Sequence, residues 1–338
     1  MTTHTETEIA SQPECWRRGI AMAAGAPLPR PGERVAVVGC GTSWYIAQAY
    51  AVLRERAGHG ETDAFPASEA PIFASSTTRE PAHGPLPAEP TESGTRTASP
   101  AAPAASSGPP PTDRPSPVRG RAYDRVLALT RSGTTTEVLT LLRHLDGTPV
   151  TVITADPDAP VIGLADEAVV LDFADERSVV QTRFATTQLA LLRAHLGEDL
   201  SRALDDAGRA IREPVEATLR AAEQFTFLGR GWTCGLAHEA ALKMREASRA
   251  WTEAYPAMEY RHGPISIAGP RRVTWMLGAA PKGLAAEVRA TGGAFVGGDD
   301  DPMAELVRVQ RVAVARALAL GLDPDRPLHL TRSVILSA

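Results

Sequence analysis

Glu239, Lys243 and Glu246 stand at i, i+4 and i+7 within HEAALKMREAS, a spacing that brings all three to one side of a helix. Two carboxylates beside an ammonium are a set suited to moving a proton. The same spacing also suits an exposed Glu–Lys pair worth about a few tenths of a kcal/mol, with Glu246 incidental. Downstream, His262 lies in YRHGP, where Gly263 and Pro264 end regular structure and leave the imidazole open for proton transfer or for a purely structural role. No second His or Cys stands at ligand spacing, so no metal and no cofactor is expected.

Two further segments, GCGTS (39–43) and TRSGTTTE (130–137), place small hydroxyl residues and bare backbone amides where a strand would feed a helix. A helix N-terminus attracts an anion through its unpaired N–H groups and its dipole, although Ser and Thr there are also ordinary N-caps. Neither segment contains the GK[ST] of a nucleotide-binding loop, and Gly39 and Gly41 lack the third glycine of GxGxxG. Two such turns in successive βα units favour phosphate or sugar binding, with a monophosphate fitting better than a nucleotide.

The elements that must hold these residues follow from hydrophobic pattern. RVAVV (34–38) reads as a strand buried on both faces, followed by a helix through Leu53. Strands are also expected at 63–69, 123–129, 149–156, 167–173, 225–228 and 273–279, and helices at 8–22, 179–196, 200–225 and 304–322, the last stopped by Gly321 and Pro324. After Phe225–Leu228 a long helical pattern runs on toward the loop ending at His262. Strands alternating with helices imply right-handed crossovers and parallel sheets covered on both faces. VAVVGCGTS and FTFLGRGWT match at Gly39 and Gly229, Gly41 and Gly231, and Ser43 and Thr233, which points to two copies of one α/β unit.

The expected organisation is an N-terminal arm (1–33), a first lobe (34–198), a linking helix (199–222) and a second lobe with a C-terminal tail (223–338). Residues 74–120 are mostly Pro, Ala, Ser, Thr and Gly with almost no large apolar residue. They read as a flexible insertion within the first lobe that supplies no catalytic residue. A net charge of -5 argues against nucleic acid or an anionic membrane as partner. Cys15, Cys40 and Cys234 lie far apart, MTTHTETEIA is no secretory leader, and no window is long and apolar enough for a membrane span, so a cytoplasmic protein is expected.

Taken together, GCGTS, ASE (67–69), TRSGTTTE, FATTQL (184–189), LGRG, HEAALKMREAS, EAYPAMEYRHGP and the terminal LTRSV resemble double sugar isomerase (SIS) proteins, most closely the isomerase half of glucosamine-6-phosphate synthases. The resemblance implies two flavodoxin-like SIS lobes, a homodimer and a phosphosugar held at a site shared between lobes and subunits. It implies that Thr130, Arg131, Ser132 and Thr135 bind the phosphate, while Thr42, Ser43, Val179, Gln181 and Arg332 line the sugar. Glu246 matches the family's base at the second carbon, His262 from the neighbouring subunit its ring-opening histidine, and Glu239 and Lys243 its active-site helix partners.

That assignment agrees with the chemistry. Isomerising a sugar takes a carboxylate to remove a carbon-bound proton and a cation or donor for the enediolate oxygen. Two departures limit it. The resemblance does not extend to a glutaminase half, so glutamine-dependent amination by this polypeptide alone is not expected. Arg332 stands where the family has an imine-forming lysine, and a guanidinium stays protonated; Gln181 replaces a serine. The expected function is proton abstraction at the second carbon of an amino-sugar 6-phosphate, giving isomerisation, deamination or dehydration. A non-catalytic phosphosugar sensor and a synthase subunit using external ammonia are the alternatives.

Overall fold

The computed structural model describes residues 2–70, 123–145 and 147–336; the expected insertion at 74–120 lies outside them. In chain order the elements are α1 (His4–Ala10), α2 (Gln12–Met22), β1 (Val35–Gly39), α3 (Thr42–Arg56), β2 (Thr62–Pro66), β3 (Arg125–Leu129), α4 (Thr136–Arg143), β4 (Val150–Thr154), β5 (Glu167–Val170) and α5 (Arg183–His195). The second half continues with α6 (Ser201–Arg212), α7 (Ala217–Ala221), β6 (Gln224–Gly229), α8 (Thr233–Ser248), β7 (Trp251–Pro256), β8 (Arg272–Met276), α9 (Leu284–Ala290), β9 (Ala294–Val296) and α10 (Pro302–Ala319).

Two parallel sheets form, ordered β2-β1-β3-β4-β5 and β7-β6-β8-β9. Strands β1, β4 and β6 are buried along their whole length. That is why VAVVG and VTVIT read as continuous β-branched runs and not as alternating ones. In both sheets the order reverses beside the first strand, so the turns after β1 and β3, and after β6 and β8, open onto the crevice where α/β sheets bind ligands.

The repeat read from the sequence is structural. Gly41 and Gly231 both take positive φ, 53° and 56°, a conformation that penalises any side chain. A Cβ on Gly39 would come within 2.8 Å of Ser43 and one on Gly229 within 2.3 Å of Thr233, so each strand can run this close to its helix only without a side chain.

Four expected spans are corrected. Residues 8–22 are not one helix: α1 starts earlier, on a capping box in which Thr3 and Glu6 satisfy each other's backbone N–H groups. A second helix then restarts at Gln12 with Pro13 in its first turn, where a missing N–H is harmless. Helix α5 begins at Arg183, not 179, because residues 175–182 form an irregular loop wrapped around the Glu176 carboxylate. The helical pattern at 200–225 divides at Pro214 into α6 and α7. Finally, α8 does not run on toward His262. Arg249 enters the left-handed region at φ 53° and residues 251–256 become β7, an edge strand pairing with β6. Among the described residues no helix is long and apolar enough to cross a membrane.

Candidate active site

Helix α8 presents the acid–base trio on the face turned toward α3. The two helices touch so closely at Gly235 that a Cβ there would lie 2.4 Å from the Tyr45 carbonyl oxygen. Thr42, in the first turn of α3, is thereby brought against the trio. Lys243 Nζ donates to Thr42 Oγ1 at 3.0 Å and lies 2.5 Å from Glu246 Oε2 and 3.5 Å from Glu239 Oε1; Thr42 Oγ1 donates to Glu239 Oε1 at 3.3 Å. The alternative of an exposed ion pair does not hold. The Glu239 and Lys243 side chains are 0% and 1% exposed, whereas Glu246 keeps 16%.

Burial sorts the protons among these groups. Desolvation lifts the Glu239 carboxyl from 4.5 to about 8 against the opposing pull of Lys243, so it holds its proton at neutral pH. Burial also pulls on Lys243, but the facing Glu239 and Glu246 carboxyls outweigh it and the ammonium titrates above its ordinary range. The trio is thus a neutral carboxyl, a cation and Glu246, and only Glu246 of the three opens outward. A cleft of about 370 Å³ reaches it, walled by Leu242 and Arg245 of α8, by Arg249 just past its end, and by Leu328, His329 and Leu330 of the C-terminal tail.

The hydroxyl turn after β3 is closed by the same tail. Ser132 Oγ and Thr134 Oγ1 lie 3.1 and 2.9 Å from Ser333 Oγ, Thr135 Oγ1 lies 3.5 Å from it, and the Thr136 N–H at the start of α4 donates to the Val334 carbonyl at 3.2 Å. Four hydroxyls and a helix N-terminus therefore converge on one point. Thr130 spends its hydroxyl within the turn, accepting from the Gly133 N–H. Ser43 is buried beside Thr42.

The remaining expected residues are placed as follows. Val179 and Gln181 sit on the 175–182 loop, and the amide oxygen of Gln181 is buried without a partner. The Arg131 guanidinium turns away from the hydroxyls into the protein. Arg332 directs its guanidinium to the Glu176 carbonyl and the Asp175 carboxylate, away from the trio. His262 is exposed on a 3-10 turn (Glu259–His262), and no hydrogen bond or ion pair joins it to Glu246. Sequence reasoning missed Thr134, Ser333, His329, Glu8 and Glu176. Ser333 lay inside the LTRSV motif without a role, whereas Glu8 and Glu176 carry no pattern that spacing could reveal.

No family model matches the chain. The glutamine–fructose-6-phosphate aminotransferase [isomerizing] of Gluconobacter oxydans is 28% identical over 278 residues, covering 65% of this chain and 45% of that protein. The protein of the same name from Sulfurisphaera tokodaii is 27% identical over 258 residues, 64% of this chain and 43% of its own. The chain spans less than half the length of these curated relatives. Among solved structures, a glucosamine-6-phosphate deaminase from Thermotoga maritima superposes with a TM-score of 0.71 at 23% identity over 99% of this chain and 100% of its own. This is a double sugar isomerase (SIS) fold. The C-terminal domain of the Francisella tularensis glucosamine-fructose-6-phosphate aminotransferase (TM-score 0.68, 18% identity, 97% and 99% covered) shares that fold. So does the tagatose-6-phosphate ketose/aldose isomerase of Escherichia coli (0.69, 18%, 98% and 97%). In the SIS fold of this chain the GCGTS turn of the first sheet and α8 of the second meet at Thr42 and Lys243.

Proposed function

We propose that the chain is an enzyme acting on an amino-sugar 6-phosphate, in which Glu246 moves a proton at the second carbon. The observation that carries this reading is the trio itself: a solvent-reached carboxylate 2.5 Å from a buried ammonium, beside a neutral buried carboxyl. Similarity adds to it, since the relatives' names share a sugar 6-phosphate as the molecule acted on.

In this reading the phosphate sits on the Ser132, Thr134 and Thr135 hydroxyls and the first-turn backbone N–H groups of α4 beyond Thr136, whose own N–H goes to Val334. The sugar extends over Thr42, Ser43, Val179 and Gln181, where the unpartnered Gln181 amide oxygen accepts a sugar hydroxyl. Glu246 takes the proton from the second carbon, and Lys243, held by Thr42 and Glu239, offsets the charge that gathers on the enediolate. Returning that proton to the first carbon gives isomerisation; where the second carbon carries an amine, the product is an imine there, and water hydrolyses it to a ketone with release of ammonia; loss of the third-carbon hydroxyl as water gives dehydration instead. Arg332 provides no imine-forming amine, which favours routes without a covalent sugar adduct. His262, exposed and without a hydrogen bond to Glu246, opens the ring from a second copy. The exposed apolar run Val334, Ile335 and Leu336 supports a homodimer that covers the tail.

The test is incubation with glucosamine 6-phosphate, its N-acetyl form and fructose 6-phosphate, with and without ammonia, in heavy water. Deuterium enters at the second carbon with wild-type protein, and Glu246→Gln lowers turnover by about 10²–10⁴-fold while phosphosugar binding persists. Binding with no turnover and no exchange in the wild type would leave a phosphosugar sensor and overturn the enzymatic reading.

A further inference from the structure

Arg131 belongs to the hydroxyl turn, yet its side chain is 1% exposed and its two terminal nitrogens are spent on two other backbone segments. Its guanidinium donates to the carbonyls of Ser178 at 3.1 Å, Val179 at 3.4 Å and Arg332 at 3.1 Å, and lies 3.6 Å from Glu176 Oε2. The connection is returned from the other side, because the Arg332 guanidinium donates to the Glu176 carbonyl and pairs with Asp175. The two arginines thus interlock: each binds the backbone of the segment that carries, or packs beneath, the other.

The far face of the same loop is fixed by α1. Glu8, 3% exposed, accepts from the Arg177 N–H at 2.6 Å and from the Ser178 N–H and hydroxyl, and the Val179 N–H donates to the Asp325 carbonyl at 3.2 Å. A planar fork sets two separate nitrogens against three carbonyls with a carboxylate alongside; a lysine ammonium at the same place has three donors on a single nitrogen.

We propose that Arg131 is a positioning residue that clasps the C-terminal tail and the 175–182 loop onto the hydroxyl turn, and that it is not itself a cation for the ligand's phosphate. The proposal rests on the reading that this turn receives a phosphate. It explains why the one cation in a phosphate turn points away from the hydroxyls. It also makes the tail part of the site: Ser333 reaches Ser132 and Thr134 because the preceding carbonyl, that of Arg332, is held by Arg131.

Hydrogen exchange followed by mass spectrometry on the substrate-free full chain tests this without any assumption about the reaction. In the wild type the Leu336 N–H, bonded to Thr136 Oγ1, and the Val179 N–H are protected; exchange at unprotected rates there, with the sheets still protected, would sink the proposal. Arg131→Lys, and the volume-keeping pair Arg131→Met with Glu176→Gln as the variant without a buried unpaired charge, speed exchange at 176–182 and 328–336 by about tenfold or more. They leave the affinity for inorganic phosphate within about twofold, and they raise KM for the sugar phosphate more than they lower kcat. A loss of phosphate affinity by tenfold or more with unchanged tail exchange would make Arg131 a direct ligand and overturn the clasp. If no sugar phosphate binds or turns over, the proposed function fails while the exchange data still decide this point.

Discussion

Thr42 and Lys243 lie 201 positions apart in the chain and meet at 3.0 Å, hydroxyl to ammonium, where the first turn of α3 crosses α8. The contact makes one site from two copies of the same α/β unit. The lobe that carries the hydroxyl turns and the helix that carries the carboxyls are joined through a buried donor–acceptor chain, Lys243 to Thr42 to Glu239.

Among the described residues, Lys243 is the only cation that bonds to Glu239 or Glu246. Replacing it by Met strands Glu246 beside a buried carboxyl, and we expect urea unfolding to show a loss of about 3–5 kcal/mol. Adding Glu239→Gln and Glu246→Gln removes the orphaned acids and restores a large part of it. A single variant as stable as the wild type would mean that the ion pair is solvated.

The Glu239 proton makes stability depend on pH. The folded carboxyl titrates at about 8 and the free one at 4.5, so between these values the native state binds a proton that the unfolded chain lacks. The stabilisation is therefore fully present below 4.5 and is lost as pH rises through 8, with a slope of at most about 1.4 kcal/mol per pH unit. Thermal unfolding across this window checks the sign, and Glu239→Gln should flatten the profile; an unchanged profile in that variant would place the titration elsewhere.

Gly235→Ala tests the helix crossing. The added Cβ meets backbone, Tyr45 O at 2.4 Å and Ala49 N at 2.9 Å, so α3 and α8 must separate. Overpacking of this kind costs about 1–3 kcal/mol. Because the separation also withdraws Thr42 from Lys243, turnover should fall further than the loss of folded protein explains. Activity that tracks the folded fraction alone would dissociate the crossing from the site.

If the proposed phosphate site is right, Ser132→Ala removes a donor to a charged phosphate, an interaction worth about 1.5–3 kcal/mol. KM for a sugar phosphate should rise by roughly ten- to a hundredfold with kcat little changed, the pattern of lost uniform binding. An unchanged KM would argue that the phosphate sits elsewhere.

Local pattern made much of this molecule legible. The β-branched runs at β1, β4 and β6, the glycine pairs 39/41 and 229/231, and the i, i+4, i+7 trio depend on neighbours within a few residues, because strand burial, turn conformation and helix facing are short-range properties. The breaks at Ser11 and Pro214 also carry local signals, the Thr3–Glu6 capping box with Pro13 and the proline itself. The strand at 251–256 was less legible, because it is defined by pairing with a separate segment, β6.

The assignment of roles needed the folded chain. Spacing alone does not rank Glu239 and Glu246, and the resemblance names Glu246 the base without a physical reason; burial supplies one, since removing a carboxyl from water raises its proton affinity while a residual opening keeps the other within reach of a ligand. Likewise Arg131 and Arg332 read as ligand cations because a motif records residue type and not direction. Where a guanidinium points is set by which carbonyls come within 3–3.5 Å, and here those belong to segments 47 to 201 residues away.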